Sequence, residues 1–352
     1  MSSYEQVGNL IVNPEDTEVQ ILSYQFPEVR EQLSKLSLPQ SFNMRTQTPH
    51  EAQDKLLTGG YDFNPSLELP SDSHGLVNFE AIHVPVVKRI TERNEVQLPG
   101  LSSFENQYAT HGSSDSIFRL MSEWSRKKTN PMTEMASING DYDGYTWSAN
   151  VLSIDTHTVA SLEEAGEPVK GRVWFVSNPS ATDGNWHDND VWQKFLNDGH
   201  EVVVDGAYVG LTADEHPLDV SAPNIKAVLT SPSKIFGVFK QRFTGVTYTR
   251  EMALSLVDTM WFKSLPALMG TLMLYETFEP HELARKYKDR QLIICQALGE
   301  LVGKDIKPSD TILLAHTDEA LAPEYSLNLS TEDRYCFRLS TLFEKLELHN
   351  LI

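Results

Sequence analysis

Ser231-Pro-Ser-Lys234, followed eight residues later by Arg242 in Gln-Arg-Phe-Thr-Gly, brings an amine, a hydroxyl and a guanidinium into a short stretch. A lysine amine condenses with an aldehyde to a Schiff base, while a serine hydroxyl and an arginine fork can grip a phosphate. The stretch suits a phosphorylated aldehyde held by two handles. Taken alone it equally suits a solvated loop, because Ser-Lys pairs and loop arginines are common.

Other residues have the right chemistry to share such a site. Gly112-Ser113-Ser114 offers a compact turn, backbone donors and hydroxyls where a helix begins, which is an anion site or simply an N-cap. Asn178, before Pro179, could donate to a phenolate-like oxygen, or belong to an Asn-Pro turn. Asp205 closes the apolar run Val-Val-Val-Asp-Gly-Ala-Tyr208. A carboxylate there is costly to bury unless a cation meets it, and a protonated pyridinium nitrogen is such a cation. Tyr208 could reach the same ring's phenolic oxygen; otherwise Asp205 caps a loop and Tyr208 lies in the core. Tyr142, in Asp-Tyr-Asp-Gly-Tyr145, is either a face for a flat heteroaromatic ring or an exposed turn aromatic. Arg338, in Phe-Arg-Leu-Ser, is either a fork for a substrate carboxylate or a structural salt bridge. The cofactor that fits the first lysine, the phosphate grip and the strand-end carboxylate together is pyridoxal 5'-phosphate (PLP).

These residues need elements to hold them. From Gln107 onward apolar runs alternate with helical periodicity. Strands are expected at 150–154, 173–177, 200–204 and 225–229, with helices after Gly112 and around 192–196. Strands alternating with helices indicate an α/β layer architecture, with ligands at the carboxyl ends of strands. The polar motifs fall at such ends. After Gly245 the pattern reads as helical over 249–262 and 280–302, and two further strands are expected at 311–315 and 335–339. The first hundred residues show one helix, from about Asn78 to Arg93. This organisation predicts an N-terminal segment (1–100) packing with the small domain, a large domain (101–265) with a mostly parallel sheet between helices, and a small α+β C-terminal domain (266–352).

The chain has 352 residues, enough for a large core split between two domains. Its 49 acidic and 29 basic residues give a net charge of -20, which argues against nucleic acid or an anionic membrane as the main partner. No apolar run spans a bilayer, and the N-terminal stretch is polar rather than signal-like. Cys295 and Cys336 form no metal or redox motif and are expected reduced and buried. A cytoplasmic protein follows, with no metal.

The ordered series Gly112-Ser113-Ser114, Tyr142, Asn178-Pro179, Asp205 and Tyr208, Ser231 and Lys234, Arg242, Arg338 resembles the fold-type I PLP enzymes, specifically the class I/II aminotransferase family, from about residue 105 to the C-terminus. The resemblance implies that Lys234 carries the cofactor and shuttles the proton. It implies that Gly112, Ser113, Ser114, Ser231 and Arg242 form the phosphate cup, and that Tyr142 stacks on the ring. Asp205 would pair the ring nitrogen, Asn178 and Tyr208 would bond the 3'-oxygen, and Arg338 would bind an α-carboxylate. It further implies a homodimer, a small-molecule amino-acid substrate and transamination to a 2-oxo acid. Departures from the family pattern lie on the substrate side: the longer Ser-Ala-Thr-Asp-Gly184 stretch after Pro179, and a short segment between Lys234 and Arg338. Elimination, cyclisation, decarboxylation or oxidation of an amino acid in specialised biosynthesis therefore stands beside transamination, with a non-catalytic PLP-binding sensor a further alternative.

Overall fold

The computed structural model describes residues 24–35, 79–238, 243–257, 265–319, 330–331, 334–340 and 342–343. In chain order the main elements are α1 (Pro27–Lys35), α2 (Phe79–Asn94), β1 (Asn106–Thr110), α3 (Ser113–Trp124), β2 (Glu134–Ile138), α4 (Gly144–Val151), β3 (Asp155–Val159), β4 (Arg172–Ser177), α5 (Asn189–Asn197), β5 (Val202–Asp205), β6 (Ile225–Thr230), α6 (Pro232–Ile235) and β7 (Gly245–Thr249). Then follow α7 (Leu254–Val257), α8 (Leu265–Thr277), α9 (Glu282–Val302), β8 (Lys307–Pro308), β9 (Leu314–Thr317), β10 (Ser330–Thr331) and β11 (Arg334–Arg338).

Seven strands form one sheet in the order β1-β7-β6-β5-β4-β2-β3. Every pairing from β6 to β3 is parallel, and β7 alone runs against its neighbours β6 and β1. The central strands read as near-continuous apolar runs because helices cover both faces. Val202 to Val204 are fully buried, as are Trp174 to Val176. A second, antiparallel sheet has the order β10-β11-β9-β8. Gln291 of α9 anchors it, donating from Nε2 to the carbonyls of Ser309, Thr311 and Leu314 at 2.9, 3.1 and 2.7 Å. The architecture is α/β, with a mostly parallel sheet between helices and a smaller α+β unit.

Three expectations about elements are corrected. Residues 150–154 form no strand: α4 ends at Val151, Ser153 turns the chain at φ 55°, and the strand follows at 155–159. β3 is an edge strand, largely exposed, so its polar Asp-Thr-His-Thr sequence lacks the apolar signal of a buried strand. Gly245–Thr249 is a fully buried strand rather than the onset of a helix, and within 249–262 helix is described only at Leu254–Val257. The late strand begins at Leu314; residues 311–313 make the turn before it.

α1 lies against α9, where Glu28 accepts from Tyr287 Oη at 2.9 and 2.8 Å and pairs with Lys286. The stretches after Pro179 and after β5 both bond the turn that precedes β9. Thr311 N donates to the Gly184 carbonyl at 2.9 Å, Ile312 N to the Leu211 carbonyl at 3.0 Å, and Trp186 N to Asp310 Oδ2 at 3.0 Å. Cys295 and Cys336 are free and buried. Among the described residues no helix is long and apolar enough to cross a membrane.

Candidate active site

The carboxyl ends of β1, β2, β4, β5 and β6 share one edge of the large sheet, and the chemistry-bearing residues collect there. Pairing sets their spacing: Ser177 faces Asp205 across β4 and β5, and Asp205 faces Leu229 across β5 and β6. The chain then turns through Ser231 into α6, which carries Lys234.

Gly112 and Ser231 make one end of the site. Gly112 has φ 96°, in the left-handed region that favours glycine, and a Cβ there would lie 3.7 Å from Ser231 Oγ. α3 starts at Ser113, so its first N–H groups open beside the Ser231 hydroxyl. Ser231 is buried and accepts from Ser233 N at 3.2 Å, capping α6. The buried Gly112 turn, two further serines and the buried Ser231 hydroxyl at a helix N-terminus can cradle an anion. Ser114 Oγ bonds Tyr142 Oη at 2.7 Å, linking this cradle to the next aromatic. Arg242 lies outside the described residues.

The other end of the site is acidic and buried. Asp205 is 3% exposed; its Oδ1 accepts from Ala207 N at 3.1 Å and its Oδ2 from Tyr145 Oη at 3.1 Å. Burial and the nearby charge of Asp141 push Asp205 up to about 7, against the pull of Tyr145, Ala207 N and Lys234. A carboxyl so placed stays ionised when a cation docks on it. Tyr142 stands edge-to-face with Tyr145, ring centroids 5.4 Å apart, and is partly open to solvent.

Lys234 stands between these ends, its Nζ 5.7 Å from the Tyr208 ring centroid. Burial first, then the Arg338 guanidinium, bring its amine down to about 8, with Asp205 opposing. A neutral amine is thus within reach near neutral pH, the state that attacks an aldehyde or removes a proton. Burial raises the Tyr208 hydroxyl, keeping it protonated. Asn178 is buried after β4, preceding a cis peptide bond to Pro179; its N–H donates to the Asp205 carbonyl at 3.1 Å, and its Oδ1 accepts from His187 N at 3.2 Å. Arg338 ends β11, paired in register with Leu314, and its Nε is buried with no hydrogen-bond partner among the described residues. This guanidinium acts on Lys234, and its buried Nε can donate to an anion.

The structure therefore brings Gly112, Ser113, Ser114 and Ser231 to one end, Asp205 and Asn178 to another, and Lys234, Tyr208 and Arg338 between them. Sequence reasoning passed over Asp141, Tyr145 and Ser177, which lie beside Asp205, and His187, which lies beside Asp141. Asp141 and Tyr145 flank the very Tyr142 that was singled out, and Ser177 precedes Asn178. Among the described residues no group of three or more His, Cys, Asp or Glu side chains could hold a metal ion.

The fold and this edge-of-sheet site define an aminotransferase-like fold-type I architecture. Among solved structures, aspartate aminotransferase from Thermus thermophilus (a tetra mutant) superposes with a TM-score of 0.62 at 14% identity, covering 94% of this chain and 93% of that one. L-threonine-O-3-phosphate decarboxylase from Porphyromonas gingivalis gives 0.55 at 16% identity, covering 76% and 88%. A PLP-bound C-S lyase from Staphylococcus hominis gives 0.55 at 11% identity, covering 76% and 82%. The chain shares their fold. No family model and no curated protein matches it.

Proposed function

We propose that this protein is a PLP-dependent enzyme acting on an α-amino acid, and that its reaction is transamination. One observation carries this: an amine lowered to about 8 by burial shares the site with a buried strand-end carboxyl and with a guanidinium whose buried Nε has no hydrogen-bond partner among the described residues. PLP bound there supplies an electron sink for the carbanion formed at the substrate's α-carbon.

The chain's residues do the rest. Gly112, Ser113, Ser114 and Ser231 would hold the phosphate; Arg242, which lies outside the described residues, is the proposed cation for it. Lys234 would hold the aldehyde, and its amine, neutral, would be the group that takes the substrate's α-proton. Asp205 would face the ring nitrogen and favour its protonated form. Asn178 and Tyr208 would hold the 3'-oxygen, Tyr142 would cover the ring, and Arg338 would receive the α-carboxylate. A different PLP reaction is the second reading. It is favoured by the stretch after Pro179, which departs from the family pattern and is bonded to the sheet that bears Arg338. Structures of the same fold include a decarboxylase and a C-S lyase.

A second copy of the chain is the proposed partner. α3 carries the cradle at its N-terminus and packs between α4 and α7, whose Trp147, Val151 and Leu254 are 63%, 56% and 67% exposed. A copy seated on that apolar face would stand beside the cradle. The two buried free thiols fit a reducing compartment, and the cytoplasm is the proposed location.

The test is direct. Purified protein loaded with PLP is expected to absorb as a Schiff base that borohydride fixes onto Lys234, and an amino-acid screen should convert it to the pyridoxamine form. Equal cofactor binding by Lys234→Ala with no fixed adduct in wild type sinks PLP enzymology altogether. A fixed adduct with no half-transamination by any amino acid transfers the assignment to the second reading.

A further inference from the structure

Asp141 has no role above, yet it is buried at the site. Its Oδ1 accepts from Tyr142 N at 2.7 Å and lies 2.6 Å from Ser177 Oγ; its Oδ2 accepts from Ser177 N at 3.1 Å. Ser177 Oγ lies 2.9 Å from Tyr145 Oη, which lies 3.1 Å from Asp205 Oδ2. A continuous line of oxygens thus joins two carboxyls through two hydroxyls.

Counting hydrogens shows what the line can do. It contains three oxygen–oxygen contacts at hydrogen-bonding distance, and its two hydroxyls supply two hydrogens. All three contacts are hydrogen bonds only when one carboxyl supplies the third. With that proton on Asp205, its O–H donates to Tyr145, Tyr145 to Ser177, and Ser177 to the Asp141 carboxylate. With it on Asp141, every bond points the other way and Asp205 is the carboxylate. The two arrangements hold the same atoms and the same net charge.

The surroundings favour sharing one proton rather than ionising both ends. Lys234 acts on the Asp205 end, with Arg338 and Tyr208 beyond it. The Asp141 end meets His187, whose Nε2 is 3.0 Å from the Ser177 carbonyl; burial holds this imidazole below its ordinary value, against the pull of Asp141 and Asp183. Burial raises Asp141, and Asp141 in turn raises Asp205. Two carboxylates joined in one buried network cannot both hold full charge cheaply.

Resting on the PLP reading above, we propose that Asp205, Tyr145, Ser177 and Asp141 form a proton relay that stores the proton Asp205 must give up when a cationic ring N–H docks on it. The Asp205 O–H bond breaks as its proton passes to the Tyr145 oxygen. The Tyr145 proton passes to Ser177, and the Ser177 proton forms the new O–H bond on Asp141 Oδ1. Asp205 gains the negative charge that faces the ring, Asp141 loses its own, and no proton leaves the protein. Asp141, Ser177 and Tyr145 are positioning residues acting through Asp205.

Pyridoxamine 5'-phosphate is the suitable probe, because it forms no Schiff base with Lys234 and its ring nitrogen arrives protonated. Titration calorimetry in buffers of different ionisation heat, near pH 6 and so below the Asp205 value of about 7, counts protons released on binding. Wild type is expected to release almost none from this array. Ser177→Ala keeps both carboxyls and cuts the line, so release should rise toward about one proton per site; Tyr145→Phe cuts it elsewhere and should do the same. Infrared difference spectra should show one protonated-carboxyl band replaced by another on binding, the second missing in Asp141→Asn. Unchanged proton counts in both cut variants, or a carboxyl band that vanishes without replacement in wild type, overturn the relay while leaving PLP binding intact. Wild type that does not bind the probe at all overturns the PLP reading and the relay together.

Discussion

Lys234→Met is expected to stabilise the cofactor-free protein at neutral pH. Burial and Arg338 bring the Lys234 amine from 10.5 down to about 8. At about 1.4 kcal/mol per pKa unit, the drop amounts to roughly 3 kcal/mol of folding free energy lost to a protonated amine at this position. Below the folded value the amine is protonated in both folded and unfolded chains, and the whole penalty is present. Between about 8 and 10.5 the unfolded chain binds a proton that the folded one has released, so stability climbs with pH; above 10.5 the penalty is gone. Methionine keeps the length of the side chain without its charge. It also removes the cation that favours the Asp205 carboxylate, which offsets part of the gain and leaves about 2 kcal/mol at pH 7. Urea unfolding of apo wild type and variant, followed by circular dichroism, measures the difference. A variant no more stable than wild type at pH 7 refutes this account of Lys234. So does a stability gap that fails to shrink as pH rises through the window.

Two further outcomes follow from the geometry. Gly184→Val places a Cβ 2.9 Å from the Leu314 and Ser309 Cβ atoms at a residue with φ 78°, so a loss of about 2–3 kcal/mol is expected. Because Leu314 pairs with Arg338, the variant should raise KM for the amino acid while a fluorescence titration shows unchanged PLP affinity. Trp147→Glu puts a charge on the exposed face of α4 where a second copy is proposed to sit; sedimentation velocity is expected to show a dimer for wild type and a monomer for the variant, with circular dichroism retained.

Parallel strands buried on both faces announce themselves. Val202 to Val204, Trp174 to Val176 and Ala227 to Leu229 are apolar throughout because no side of them meets water. The polar residue that ends each run, Ser177, Asp205 or Thr230, is legible for the same reason. Edge and antiparallel strands carry weaker signals. β3 is polar because its outer edge is solvated, and β7 lacks the alternation that marks a half-exposed strand because all five of its residues are buried. Residues 311–315 combine a turn with the start of a strand, and their apolar content alone does not separate the two.

Within the site, residue type indicated chemistry one position at a time. Lys234 for an aldehyde, Asp205 for a buried cation and Arg338 for a carboxylate each follow from what the side chain can do and from the run it ends or joins. Their setting is a property of the folded chain. The short contact between Ser177 and Asp141 links residues 36 apart, and that between Tyr145 and Asp205 residues 60 apart. Both depend on β4 pairing with β5 so that Ser177 stands opposite Asp205, and on β2 lying next to β4 so that the following turn delivers Asp141 and Tyr145 to the same edge. The sequence by itself determined the central buried strands and the reactive groups that end them, because a strand covered on both faces is apolar throughout. Only the tertiary structure decided that two carboxyls would share one buried line of hydroxyls, because strand order and register are settled by the packing of the whole sheet.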